Sequence, residues 1–347
     1  MRMLNITSSA ILLALVLYVL HIGKSMLLPL VISIVVWYII IIIAIEYENI
    51  KFRGKRMPKW AAITLSLFTM GGAMWLFTIL INNNVNNVIR QAPDYEAKFR
   101  TFLFFVQKTF NDYGITELPN FEQIFGAINV AGILSGIGGM LKSIVGYTGM
   151  IFIYVLLLLL EFHTFDRKLR ALFPDNAKYE NAQNTISSIT RDINAYIKIK
   201  TISSILTGLL SYIVLLLVGV DFATFWAFLI FLLNFIPTFG SIAGVIFPAI
   251  LTIVQFGSLV PFLIVLLSLT GVQFVFGNLL EPKLMGESLN LSPLVIIISL
   301  ALWGNIWGVT GMFLCVPIMV IINIVLSKFE TTRPIAVMLS VKGIVKQ

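Results

Sequence analysis

Charge is scarce in this chain. Only 12% of its 347 residues are Asp, Glu, Lys or Arg, about half of what soluble domains carry, so there is too little polar surface to coat a water-soluble core of this size. With a single cysteine, Cys315, inside an apolar run, disulfide frameworks and Cys-rich metal sites are excluded. The only two histidines, His21 and His163, sit far apart at the edges of apolar runs and read as interfacial side chains, not as a metal pair. No Walker motif is read: Gly136-Ile137-Gly138-Gly139 lacks a preceding strand. No Ser/His, Asp/Asp or metal-ligand pair stands inside the apolar stretches, so neither an enzyme nor a cofactor is expected. No A-x-A-like processing site occurs before Glu46, so the N-terminal stretch is not read as a cleavable signal. The 24 Lys and Arg against 16 Asp and Glu would suggest nucleic acid in a soluble chain. In a membrane chain they belong to loops facing anionic headgroups, and no nucleic-acid partner is expected.

What the chain has in abundance is hydrocarbon: 59% of residues are hydrophobic and the mean hydropathy is +0.97. A helix crosses the bilayer core with about 20 mostly apolar residues. Five such runs stand out, from Ile6 to Ile22, Met26 to Ile45, Trp60 to Ile81, Ile144 to Leu160 and Thr201 to Val218. Gly23, Lys24 and Ser25 link the first two as an antiparallel hairpin. Three more runs follow, Phe222 to Val254, Leu259 to Leu280 and Pro293 to Leu326. The first and third would extend about 50 Å as straight helices against a core of about 30 Å, so each must tilt, break or double back. The expected fold is therefore an all-α polytopic transmembrane protein of about eight membrane segments, two of them broken or re-entrant hairpins.

Five regions are expected: a three-span region with a basic loop (1–81), an extracytoplasmic helical segment (82–143), a fourth span and linker (144–200), a transport core (201–327) and a tail (328–347). Lys51, Arg53, Lys55, Arg56 and Lys59 crowd the short loop after the second span, which puts both termini in the cytoplasm. In the 82–143 segment, Pro93 and Pro119 are expected as breaks, and Tyr95, Phe99, Phe102, Val106, Phe110 and Tyr113 form an aromatic stripe that reads as packing. Gly132, Ser135, Gly136, Gly139, Ser143 and Gly146 are expected to let helices approach closely. Phe173-Pro174-Asp175 marks a turn and a helix start in the linker.

Polar and backbone-breaking residues inside the bilayer are costly and mark function. They cluster late in the chain. Asn234, Pro237, Gly240 and Gly244 break the first long run, and Asn305, Gly308 and Gly311 break the last. Freed backbone groups cannot face lipid, so each break is buried in protein or lines a wet cavity. Matching Gly240 to Gly308, an offset of 68, gives a weak internal repeat, and paired interruptions of this kind point to a transporter's substrate site. Between them stand Gln273, Asn278, Glu281, Pro282 and Gly286. Glu281 could bind a cation or proton, or pair with Lys283, and Pro282 should end the helix there. Asp221 reads as a helix cap.

The run N-F-I-P-T-F-G-S-I-A-G-V-I-F-P-A from Asn234 to Ala249 resembles the signature of the autoinducer-2 exporter family, a group of PerM-like bacterial permeases. So does G-N-L-L-E-P-K-L-M-G-E-S-L-N-L-S-P from Gly277 to Pro293, continuing into Gly308, Gly311 and Pro317. The resemblance covers essentially the whole chain. Thr238 and Phe239 depart from it, standing where a larger aromatic and a small residue are expected. The resemblance implies about eight membrane segments in the bacterial cytoplasmic membrane and homo-oligomerisation as a ring, a pentamer among its forms. It also implies export of a small signalling molecule, or in some members sodium/proton antiport. The lipid bilayer and a small solute or ion are thus the expected partners. The rival from another class is a non-transporting membrane scaffold.

Overall fold

A computed structural model of the chain describes residues 11–12, 15–52, 55–112, 130–285, 291–341 and 343. The protein is all-α apart from a two-residue antiparallel pairing of Lys51–Phe52 with Lys55–Arg56. Six helices among the described residues are long and apolar enough to cross a membrane, and a seventh if the bent helix Thr148–Leu172 counts as one span. In chain order the helices are α1 (Lys24–Asn49), α2 (Lys59–Asp112), α3 (Val130–Gly146), α4 (Thr148–Leu172), α5 (Asn176–Val218), α6 (Ala223–Leu233), α7 (Phe239–Phe256) and α8 (Leu259–Gln273). A π-helical turn (Phe274–Leu280) then leads into α9 (Glu281–Met285), followed by α10 (Pro293–Trp307), α11 (Val309–Ser327) and α12 (Arg333–Leu339). The chain forms two compact units, each discontinuous in sequence.

The first unit holds residues 1–70, 147–199 and 284–347. Its core gathers Trp303, Trp307, Leu314 and Val320 of the α10–α11 hairpin around Ile193 and Ile197 of α5. Lys24 and Ser25 are already helical, so the residues before Gly23 meet α1 with no intervening loop. Trp307 Nε1–H donates to the Leu20 carbonyl at 2.9 Å, giving an acceptor near that junction a partner. Asp175 behaves as expected of a helix start: its carboxylate accepts from the Ala177 N–H at 2.8 Å and caps α5.

The second unit holds residues 71–146 and 200–283. Pro93 does not break the chain here. It lies inside α2, a single 54-residue helix. Val85, Val88 and Ala92 before it and Tyr95, Phe99 and Leu103 after it are all buried. Each large apolar side chain contributes about 1.5–3 kcal/mol, which together outweighs the roughly 3 kcal/mol an interior proline costs. The aromatic stripe is therefore core in part, Tyr95 and Phe99 packing inward; Phe110's side chain and the residues Tyr113 and Pro119 lie outside what is described. The small residues of α3 are also corrected. Among the described residues nothing lies within 4 Å of a Cβ at Gly136, Gly139 or Gly146, and the tight approach is at Gly138, where a Cβ would sit 2.7 Å from Val85 Cγ1.

Candidate functional site

Both long apolar runs turn back on themselves. In the second unit α6 packs against α7 across residues 234–238. With 11 residues, α6 is only about 16 Å long and cannot span. The turn is a tight one. Pro237 supplies no N–H, and the Phe239 N–H donates to the Pro237 carbonyl, closing a γ-turn around Thr238 at φ 60° and ψ −58°. Positive φ is costly for a β-branched residue. Two residues on, a Cβ at Gly240 would lie 1.7 Å from the Leu233 carbonyl oxygen, so only glycine lets the arms meet.

The α10–α11 hairpin of the first unit repeats this local design. Gly308 turns the chain at φ 65°, and a Cβ at Gly311 would lie 1.9 Å from the Trp303 carbonyl. The positive-φ residues Thr238 and Gly308 are 70 positions apart, as are the pressed carbonyls of Leu233 and Trp303. The turn thus recurs at an offset of 70 and the pressed glycines, Gly240 and Gly311, at 71, in place of the 68 that matches Gly240 to Gly308. Asn305 is exposed on α10.

Within the second unit a buried polar stripe runs along α5. Lys200, Ser203, Ser204, Thr207 and Ser211 recur at three- and four-residue steps, and all are buried. Ser204 Oγ accepts from Asn234 Nδ2 at 3.1 Å. One turn further, a Cβ at Gly208 would touch Phe231 Cβ at 3.0 Å and the Ala227 carbonyl at 3.2 Å, so α6 lies antiparallel against this stretch. Gly244 on α7 faces both Ile230 and Gln273, with the Gln273 amide nitrogen 3.6 Å from where its Cβ would be. Gln273 is 7% exposed, and neither atom of its amide has a hydrogen-bond partner among the described residues. The Ser203, Thr207 and Ser211 hydroxyls are likewise buried with no partner among the described residues.

The stripe ends in an ion pair. Lys200 Nζ donates to both carboxylate oxygens of Glu281, at 2.7 and 2.8 Å, with 8% and 12% of the two side chains exposed. Glu281 therefore pairs with Lys200 and not with Lys283, which is exposed. The pairing accords with the hairpin: a 222–254 run that doubles back brings the end of the helix after it to the side on which the apolar part of α5 begins.

The chain matches the profile of the AI-2E family transporters over residues 10–331. The chain belongs to the AI-2E transporter family. It is 30% identical over 290 residues to the AI-2 transport protein TqsA of Escherichia coli K12, covering 82% of each chain. It is 29% identical over 326 residues to a candidate transport protein of Borreliella burgdorferi, covering 92% of this chain and 85% of that one. A candidate permease of Escherichia coli K12, PerM, is 26% identical over 193 residues, covering 56% of this chain and 54% of its own.

In this AI-2E family member Asn234, Pro237, Gly240, Gly244 and Gln273 fall around the α6–α7 hairpin, and Glu281 lies in the same unit at Lys200. Asn278 and Pro282 of the same unit are exposed, Gly286 lies outside the described residues, and Gly308 and Gly311 serve the other hairpin. Pro282 does not end the helix: it sits inside α9. The π turn before it makes this possible, since the Glu281 N–H reaches five residues back to the Phe276 carbonyl and widens the turn that a prolyl ring would otherwise crowd. Asp221 is no helix cap. Its carboxylate accepts from the Tyr95 hydroxyl at 2.6 Å and its N–H donates to Gln255 Oε1 at 2.8 Å. Burial first, then the bond to Asp221, raises the Tyr95 phenol above its ordinary value. The α5 residues Lys200, Ser203, Ser204, Thr207 and Ser211 were absent from the sequence expectation; their hydroxyl spacing in K-T-I-S-S-I-L-T-G-L-L-S was the available signal. Among the described residues no group of three or more His, Cys, Asp or Glu could hold a metal. What the arrangement offers instead is a run of buried, uncharged donors and acceptors.

Proposed function

We propose that this protein is a secondary transporter that moves a small polar solute of the autoinducer-2 type out of the cell. The observation that carries the reading is Gln273, whose amide is buried at the α6–α7 hairpin with neither atom partnered among the described residues. Such a group costs about 1–3 kcal/mol when unsatisfied, a cost a passing solute relieves by bonding to it. Support comes also from the name of TqsA, an AI-2 transport protein. In this reading the protein works as a homo-oligomer in the bacterial cytoplasmic membrane, with both termini in the cytoplasm. The test is uptake of autoinducer-2 and of ribose into proteoliposomes, with and without a proton gradient. Gln273→Leu should fold normally and lose transport by on the order of tenfold or more. Transport by that variant at the unaltered rate would refute the role of Gln273.

A second reading is favoured by the buried Glu281 carboxylate: sodium/proton antiport, with Glu281 as the exchanging group. Sodium-dependent alkalinisation of inverted vesicles, lost in Glu281→Gln, would select it. A membrane scaffold would move nothing in either assay.

A further inference from the structure

The polar stripe of the second unit carries formal charge at one end only, and there the charge cancels. Ser203, Ser204, Thr207 and Ser211 of α5 are uncharged and buried, as are Asn234, bonded to Ser204, and Gln273 of the same unit, while Lys200 and Glu281 meet in a two-bond pair. We propose that Lys200 and Glu281 act together as a charge filter that restricts the pathway to solutes without net charge. The inference rests on the reading of a polar-solute transporter, not on the antiport reading, and adds to it the class of solute.

The physical argument has three steps. An ion entering the stripe would shed its hydration shell and meet only hydroxyls and amides, with no unbalanced charge to replace the water it lost. A neutral solute bearing hydroxyl or carbonyl groups loses less and recovers it, because Ser, Thr, Asn and Gln side chains both donate and accept. Removing either partner of the pair changes this balance. A lone, largely buried Glu281 carboxylate would attract cations, and a lone Lys200 ammonium anions, by factors of roughly 10 or more. A pair that only braced the fold would behave otherwise: its loss would lower stability without giving the leak a sign.

The test is electrical and needs no knowledge of the natural solute. Proteoliposomes holding a potassium chloride gradient are read with a voltage-sensitive dye, and ribose uptake is followed in parallel. The wild type should develop no diffusion potential. Lys200→Met should develop a cation-selective potential and Glu281→Gln an anion-selective one, each with a permeability ratio on the order of tenfold. The exchanged pair, Lys200→Glu with Glu281→Lys, should be silent again. Should Lys200→Met fail to fold, Lys200→Gln, which still donates to Glu281, takes its place. Folded single variants that stay silent, or that leak with the same sign, overturn the filter. Ribose uptake retained alongside silent variants counts against the filter alone; charge-signed leaks with no solute uptake by the wild type count against the transport reading alone.

Discussion

Gly240 and the carbonyl of Leu233 set the closeness of the first hairpin: a methyl group on Gly240 would lie 1.7 Å from that oxygen. Neither side can yield, since one is backbone and the other is fixed between α6 and α7. Gly240→Ala should therefore lower the thermal stability of the purified protein by several kcal/mol, beyond the usual 1–3 kcal/mol of overpacking, and abolish transport. Gly271→Ala, with nothing within 4 Å of the added atom, should leave both unchanged. Equal melting temperatures for the two variants would contradict the geometry.

Thr238 holds a positive φ within its γ-turn. Replacing it with glycine removes the steric cost, so Thr238→Gly should raise stability by about 1 kcal/mol or leave it level after the entropic penalty of glycine. Pro237→Ala restores an N–H and loosens the turn, and should reduce transport more than it reduces expression. Transport at wild-type rate in Pro237→Ala would make the turn purely architectural.

Thiol labelling checks the threading. Cysteines placed at Lys55 and Ser188 should be protected from an impermeant reagent in whole cells, and one at Asn111 should react. A cysteine at Lys283, two residues past Glu281, should be protected along with Ser188, because Glu281 pairs with Lys200 at the linker end of α5. Labelling at Lys283 with protection at Ser188 would be incompatible with the ion pair.

The Tyr95 hydroxyl, beyond the apolar run of α2, donates to Asp221, and its phenol is raised above its ordinary value of about 10. A group whose pKa is higher folded than unfolded lends stability that is complete below the unfolded value and is lost as pH rises from there toward the folded one. The wild type should thus lose stability above about pH 10 more steeply than Tyr95→Phe. Parallel alkaline unfolding curves for the two proteins would show that the bond contributes nothing.

The sequence by itself determined the class of the molecule, the places where its helices fail and the start of α5 at Asp175. Long uncharged runs admit only helices in lipid, and Pro237, Gly240, Gly308 and Gly311 announce breaks because each removes a hydrogen bond or a side chain that a regular helix uses. Tertiary structure alone decided partners. Lys200 looks like an interfacial anchor until Glu281, 81 residues away, is brought against it. Gly138 is indistinguishable from its glycine-rich neighbours until the helix rotates that one position toward Val85. Pro93 and Pro282 show the same limit from the other side. A proline's local cost is written in the sequence, but whether a helix survives it depends on packing along α2 and on the widened π turn before α9, which no local pattern contains.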